Sequence, residues 1–323
     1  MARLLPLILV LSVLQQAPAP KRQLSANEAA LLVENVPEVR SAKAGYRRPQ
    51  VVLLGESGDS FLFQARSTMT RGAASGLIDN YEVNRYTGRV LRGMEQNRGE
   101  ADSPLLHDLR LHLLARSHQT THPRKVLDVR AKGLLDGIRE SSGPAAYSLW
   151  GIVVGELFPK NRAELARDLH VDVLNADPKI GLSLSGYRVW QASDAPPIVE
   201  VYLGPAQKVA EIYVEVANDR VSLEWLFGEG FTNSISTTDI ARWEGLIGSK
   251  PVVEWGQVMK GVDSLFLDFP GKGICACVYR RPSSIDPIFV SFYSPDVTPV
   301  GETLPDSVLR RMLSCLGNPE VAK

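Results

Sequence analysis

The chain has 323 residues, 44% hydrophobic and 22% charged, with 36 Lys+Arg against 36 Asp+Glu. A neutral chain without basic blocks lacks the electrostatic footprint of a nucleic-acid binder, and after the N-terminus no apolar run approaches the ~18 residues of a membrane span. The hydrophobic content suffices for packed cores, and the length favours two domains.

Residues 1–19 read as a signal peptide. Arg3 supplies a basic start, LLPLILVLSVL (4–14) an apolar run, and QQAPA an ending in small residues. That is the secretory layout, and the run is short for a permanent anchor, which is the competing reading. Ala17-Pro18-Ala19 has the A-x-A form, but Pro20 is awkward as a first mature residue, so cleavage after Ala17 is the alternative. No Cys follows the run, which argues against lipid attachment there. Removing Arg3 leaves 35 basic against 36 acidic residues, a mature net charge of −1. The expected location is secreted or periplasmic, with no transmembrane anchor in the mature chain.

In LSANEAALLVENVPEV, Ser25 followed by Glu28 forms a capping box. Ala29, Leu32, Val33 and Val36 then make one apolar stripe, and Pro37 ends the helix. QVVLLG and SFLFQAR read as strands around the turn-forming ESGDS. GLIDNYEVNR and RVLRG flank the corner Tyr86-Thr87-Gly88, where Gly88 suits a positive φ. Tyr81 and Val83 fall on one face, opposite Glu82 and Asn84, and one strand face buries the helix stripe.

A secretory start, an S-x-x-E-A helix opening and then Tyr81-Glu82-Val83-Asn84 leading into Thr87-Gly88-Arg89-Val90-Leu91 resemble a PepSY-type domain over residues 24–93. The residues of the resemblance are Tyr81, Val83, Asn84, Thr87 and Gly88. The resemblance implies an extracytoplasmic propeptide, inhibitory or interaction module, with no shared catalytic residues. The insertion STMTRGAASG departs from the simplest pattern of that family.

EQNRGEADSP (95–104) has linker composition. PLLHDLRLHLLARS is helical by its leucine spacing, KVLDVRAKGLLDGIRE reads as a further helix, and NRAELARDL as another. AAYSLWGIVVGELF fits either a buried strand or a glycine-softened helix. Beyond it GLSLSGYRVWQA, IVEVYLG, VAEIYVEV, RVSLEWLFG, SLFLDF and GICACVYRR read as strands. STTDIARWEGLIG reads as a capped helix, and PDSVLRRMLSCLG as a closing helix that stops at Gly317. An echo between SLEWLF and SLFLDF raises an internal duplication.

Chemistry has few anchors. His107, His112, His118 and His122 crowd one stretch, and His118 and His122 are four apart, but Gln119 stands where a zinc protease needs Glu. A solvated polar loop is the expectation for them, without a metal. GKGICA (271–276) matches a dinucleotide motif by letters, yet a strand follows it, so it reads as a hairpin turn, as does GEGF (228–231). Trp190, Trp225, Trp243 and Trp255 read as core, with a carbohydrate or peptide groove as the alternative. On a strand Cys275 and Cys277 share a face, while Val308, Met312 and Cys315 share a helix stripe. A disulfide from Cys315 to one of that pair is therefore expected, with Cys277 favoured as the partner because Cys275 lies nearer the Gly turn. A strained Cys275–Cys277 bridge is the lesser option, and three buried thiols is the alternative.

The expected architecture is α+β: an N-terminal helix on an antiparallel sheet (24–94), a linker (95–104), a mostly helical connector (105–170) and a strand-rich domain with a terminal helix (171–323). The expected role is a non-catalytic binding or inhibitory module with a protein or peptide partner and no cofactor. The alternative is an extracytoplasmic hydrolase whose site is assembled from residues distant in sequence.

Overall fold

The computed structural model describes residues 23–44, 48–68, 76–93, 98–116, 124–159, 165, 168–174, 185–191, 199–216, 223–228, 240–259, 262–280 and 285–316. Residues 1–19, expected as a signal peptide, with His118, His122, Gly317 and most of STMTRGAASG and NRAELARDL, lie outside them. Among the described residues no helix is long and apolar enough to cross a membrane. The fold is α+β.

Helix α1 (Ala26–Glu34) opens with the capping box: Glu28 N–H donates to Ser25 Oγ (3.3 Å), and Ser25 N–H to Glu28 Oε2 (2.8 Å). Pro37 both ends α1 and opens α2 (Pro37–Ala44), where the missing N–H is no loss. Strands β1 (Arg48–Ser57), β2 (Ser60–Thr68), β3 (Gly76–Asn84), β4 (Val90–Arg92) and β5 (Gly99–Glu100) form an antiparallel meander in chain order. Phe63 faces Tyr81 and Phe61 faces Val83 across β2–β3, and these four rings and branches bury the α1 stripe of Ala29, Leu32 and Val33. Glu82 and Asn84 turn to the other face and are only half buried. At the corner, Asn84 Oδ1 accepts from Tyr86 N–H (3.1 Å), Thr87 N–H (2.9 Å) and Thr87 Oγ1–H (3.0 Å), and Gly88 takes φ +64°.

The segment of linker composition carries β5 and then Ser103, whose Oγ accepts from Leu106 N–H (3.1 Å) to start α3 (Pro104–Ala115). Leu105, Leu106, Leu109 and Leu113 of α3 pack into the core of the small sheet. This helix therefore completes the core of the first unit, and its other face meets the second.

KVLDVRAKGLLDGIRE is not one helix. It divides into β6 (Val126–Asp128) and α4 (Leu134–Glu140), because Arg130 (φ +79°) and Gly133 (φ +86°) break the helical path between them. The ambiguous stretch becomes a hairpin of β7 (Ala146–Leu149) and β8 (Ile152–Val153) around Trp150-Gly151, both at positive φ as a two-residue turn requires.

Strands β9 (Leu169–Leu174), β10 (Gly186–Gln191), β11 (Val199–Leu203) and β12 (Val209–Glu215) precede α5 (Leu223–Phe227) and α6 (Ile240–Ile247). Then come β13 (Val252–Met259), β14 (Val262–Phe269), β15 (Ile274–Arg280), β16 (Ile285–Tyr293) and α7 (Leu304–Leu316). The strands of this half form one antiparallel sheet in the order β13-β14-β15-β16-β12-β11-β10-β9. Leu223–Phe227 of SLEWLF form α5 and not a strand, since five apolar-rich residues carry no decisive period. Its partner in the echo, SLFLDF, is strand β14, so the two stretches are not copies of one unit.

The large sheet has a core on each face. Ala276, Val278, Leu265, Leu267 and Phe292 pack with α4, α6 and the β6–β8 sheet on one side. Cys275, Cys277, Phe266, Phe289 and Tyr293 meet Met312 and Cys315 of α7 on the other. The N-terminal half of α7, through Leu304 and Val308, belongs to the small-sheet core. Helices α3 and α7 thus lie where the two units join.

Candidate functional site

On α3 the leucine stripe faces the small sheet, and Asp108 and His112, four residues apart, share the neighbouring face. That face meets Asp268 of β14, which alternates with the apolar Leu265 and Leu267 and so projects to the α7 side. Arg311 of α7 and Tyr293 of β16 complete the cluster. Asp108, His112 and Asp268 are each 0% exposed, and Arg311 is 4%.

His112 Nε2 lies 2.9 Å from Asp268 Oδ2 and 3.5 Å from Asp108 Oδ1. Tyr293 O–H donates to Asp268 Oδ1 (2.6 Å), and the Arg311 guanidinium stacks over the Tyr293 ring at 4.0 Å. Arg311 Nη1 is 3.7 Å from Glu211 Oε2, which also accepts from Arg310; Ser291 O–H donates to Glu211 Oε1. Arg310 Nε–H donates to Glu302 (2.8 Å), and Ser307 O–H holds the same carboxylate (2.7 Å).

Burial, together with the facing Asp268 charge, pushes the Asp108 carboxyl well above the usual carboxylate range. Burial acts on Asp268 too, but His112 and Arg311 more than reverse it and hold Asp268 ionised. Burial likewise opposes ionisation of Glu211, and Arg310 and Arg311 prevail. Burial lowers the His112 pKa despite Asp268. Its Nδ1 has no partner, so the neutral imidazole donating from Nε2 to Asp268 leaves no orphaned N–H. Asp268 and Glu211 are thus set against Arg310 and Arg311, with Glu302 also on Arg310, and Asp108 is the carboxyl whose protonated form burial favours.

The donor atoms of Asp108, His112 and Asp268 lie within 4.8 Å of one another, a spacing of metal ligands. The surroundings do not suit a cation. Arg311 Nη2 stands 3.3 Å from the same Nε2 that would ligate, and Nδ1 has no acceptor of the kind that orients a metal-bound imidazole. A guanidinium already supplies the positive charge.

The other sequence candidates disperse. His112 is a core residue rather than part of a solvated loop, because its helix runs between the two units; His107 on the same helix sits 2.7 Å from Arg110. The fifth histidine, His170, stacks on Trp190 at 5.5 Å. Trp243 is core, Trp225 meets Trp150 edge-on beneath Arg130, and Trp255 is half exposed at the β13 edge. GKG is the β14–β15 turn, with Gly273 at φ +71° and Lys272 Nζ donating to Ile138 O (2.7 Å) and Ser141 O (2.6 Å) at the end of α4. In GEGF, Gly228 closes α5 by donating to Glu224 O (2.8 Å), a helix stop instead of a hairpin turn, and 229–231 lie outside the described residues.

Cys277 and Cys315 are disulfide-bonded with Cα atoms 5.4 Å apart, and Cys275 is a buried free thiol. Of the hairpin residues, Tyr81 and Val83 are core, Asn84 and Thr87 build the turn, and Gly88 supports α3. None of them joins the polar cluster. Sequence signals for that cluster existed: an Asp–His pair at helical spacing, a lone Asp in an apolar strand, and Arg311 on the buried side of an amphipathic helix. No protein-family model, curated protein or solved structure matches this chain.

Proposed function

We propose that the chain is an exported, non-catalytic binding module that takes an extended segment of another polypeptide along a sheet edge. The observation that carries this reading is β1. Among the described residues it pairs with β2 alone, and it exposes Val52 (38%), Leu53 (43%) and Leu54 (58%) in succession. An edge with free backbone groups and apolar side chains is the template for strand addition. Pro49 and the bulge between Leu53 and Gly55 shorten the usable length, as natural edges do to avoid self-pairing.

Asp108, His112 and Asp268 are sealed from solvent, which counts against their serving as a hydrolase centre. The disulfide suits an oxidising compartment, which supports export. Kinship with PepSY domains remains part of the proposal, since a helix on an antiparallel sheet is shared by many families.

The test selects extended peptides from a display library on the oxidised full chain. Binders are expected to protect amides of 50–56 from hydrogen exchange and to be lost in Leu53→Lys/Leu54→Lys. Turnover of generic ester, peptide or glycoside substrates that a single polar substitution abolishes would overturn the reading.

A further inference from the structure

We infer that Asp108 and Asp268 form a one-proton latch, and that losing this proton at alkaline pH opens the junction between the small-sheet unit and the large sheet. The geometry begins with Asp108. Both of its carboxyl oxygens lack a donor, and the side chain is 0% exposed. It faces a second carboxylate that is already served, Asp268, which accepts from Tyr293 and His112. Two ionised carboxylates in one sealed site repel strongly, and a single proton turns the repulsion into an O–H···O bond. Asp268 has the donors, so Asp108 keeps the proton.

Compensating charge is scarce around Asp108. On α3, His112 is neutral, and Arg116 donates to Pro295 O (2.6 Å). On α7, Arg311 is shared with Glu211 of β12. Strand β13 contributes Glu254, a further acid, and β15 contributes the Cys275 thiol, which burial keeps neutral. Strand β16 contributes Tyr293, also held as the neutral phenol by burial. Removing the proton therefore sets two adjacent carboxylates against one shared guanidinium.

The element that yields is α3. Helix α7 is tied covalently to β15 through Cys315, whereas α3 is held by non-covalent contacts alone: Asp108 and His112, packing against β13 and α7, and Arg116 on the Pro295 carbonyl. Because α3 packs its leucines into the small-sheet core, its release loosens that unit, which then stays joined to the large sheet through Leu304 and Val308 of α7.

The experiment follows the oxidised full chain by infrared spectroscopy and hydrogen exchange across neutral to alkaline pH. A protonated-carboxyl stretch is expected at neutral pH, absent from Asp108→Asn and lost on raising the pH. With it, after correction for intrinsic exchange, the opening of 104–116 should grow up to about tenfold per pH unit in the native chain, as one released proton requires, and stay flat in Asp108→Asn. Absence of the stretch in the native chain overturns the latch even if the variant fails to fold. So does an equal pH response in both proteins, or one equivalent of zinc retained through dialysis that displaces the stretch.

Discussion

A β-carbon placed on Gly88 would lie 2.7 Å from Cγ of Arg110. The hairpin corner and α3 therefore touch at the one residue that has no side chain, and Glu100 of β5 ties the same place by pairing with Arg89 (2.6 Å) and lying 3.8 Å from Arg110. The Thr-Gly corner serves as a seat for a helix.

Gly88→Ala should lose stability twice, through a left-handed backbone and through the collision with Arg110. The backbone part is about 1–2 kcal/mol. Gly58 has a similar φ of +55° with open space around it, so Gly58→Ala isolates the backbone part. Thermal or urea melting should place Gly88→Ala below Gly58→Ala, and equal losses would count against the contact.

The Cys277–Cys315 bridge closes a loop of sequence separation 38. Reduction, or Cys315→Ser, should cost about 3–4 kcal/mol in the chain-entropy description. Unfolded, unreduced protein should titrate one thiol, from Cys275. A count of three would contradict the bridge.

Asp108 binds a proton in the folded chain that the unfolded chain has released, so folding stability falls as pH rises from the usual carboxyl range toward its raised pKa. Asp108→Asn lacks this dependence and keeps a donor toward Asp268. Its stability relative to the parent should rise by up to about 1.4 kcal/mol per pH unit. Urea melts of both proteins from about pH 5 upward check this window, since the histidines are common to both and cancel in the difference. A constant difference across the window would refute it.

Removing the cation should be the most damaging single change at the junction. Arg311→Ala leaves Asp268 and Glu211 buried against Arg310 alone, a loss of about 3–5 kcal/mol. Pairing it with Glu211→Gln should restore part of that loss, which a double-mutant cycle in urea would read.

What could be read from sequence was short in range. Ser25 and Glu28 are three residues apart, Asn84 to Gly88 forms one turn, and Cys275, Ala276 and Cys277 obey strand alternation. The junction could not be read that way, because His112 and Asp268 are 156 residues apart. Asp268 looked like an ordinary strand residue until α3 was placed over it. Three strands of the large sheet, β9, β13 and β16, escape the sequence pattern: β9 follows directly on the helical spacing of NRAELARDL, Gly256 interrupts β13 and Pro287 interrupts β16. The helix α5 was misread because tertiary packing of Leu223, Leu226 and Phe227, and no local period, decides its form.

Helix α7 supplies Leu304 and Val308 to one core and Met312 and Cys315 to another. Neither core can close on a nascent chain until residues 304–316 have left the ribosome. Until then Phe63, Leu109 and Phe266 stay available to chaperones, and the Cys277–Cys315 bridge cannot form before α7 has emerged.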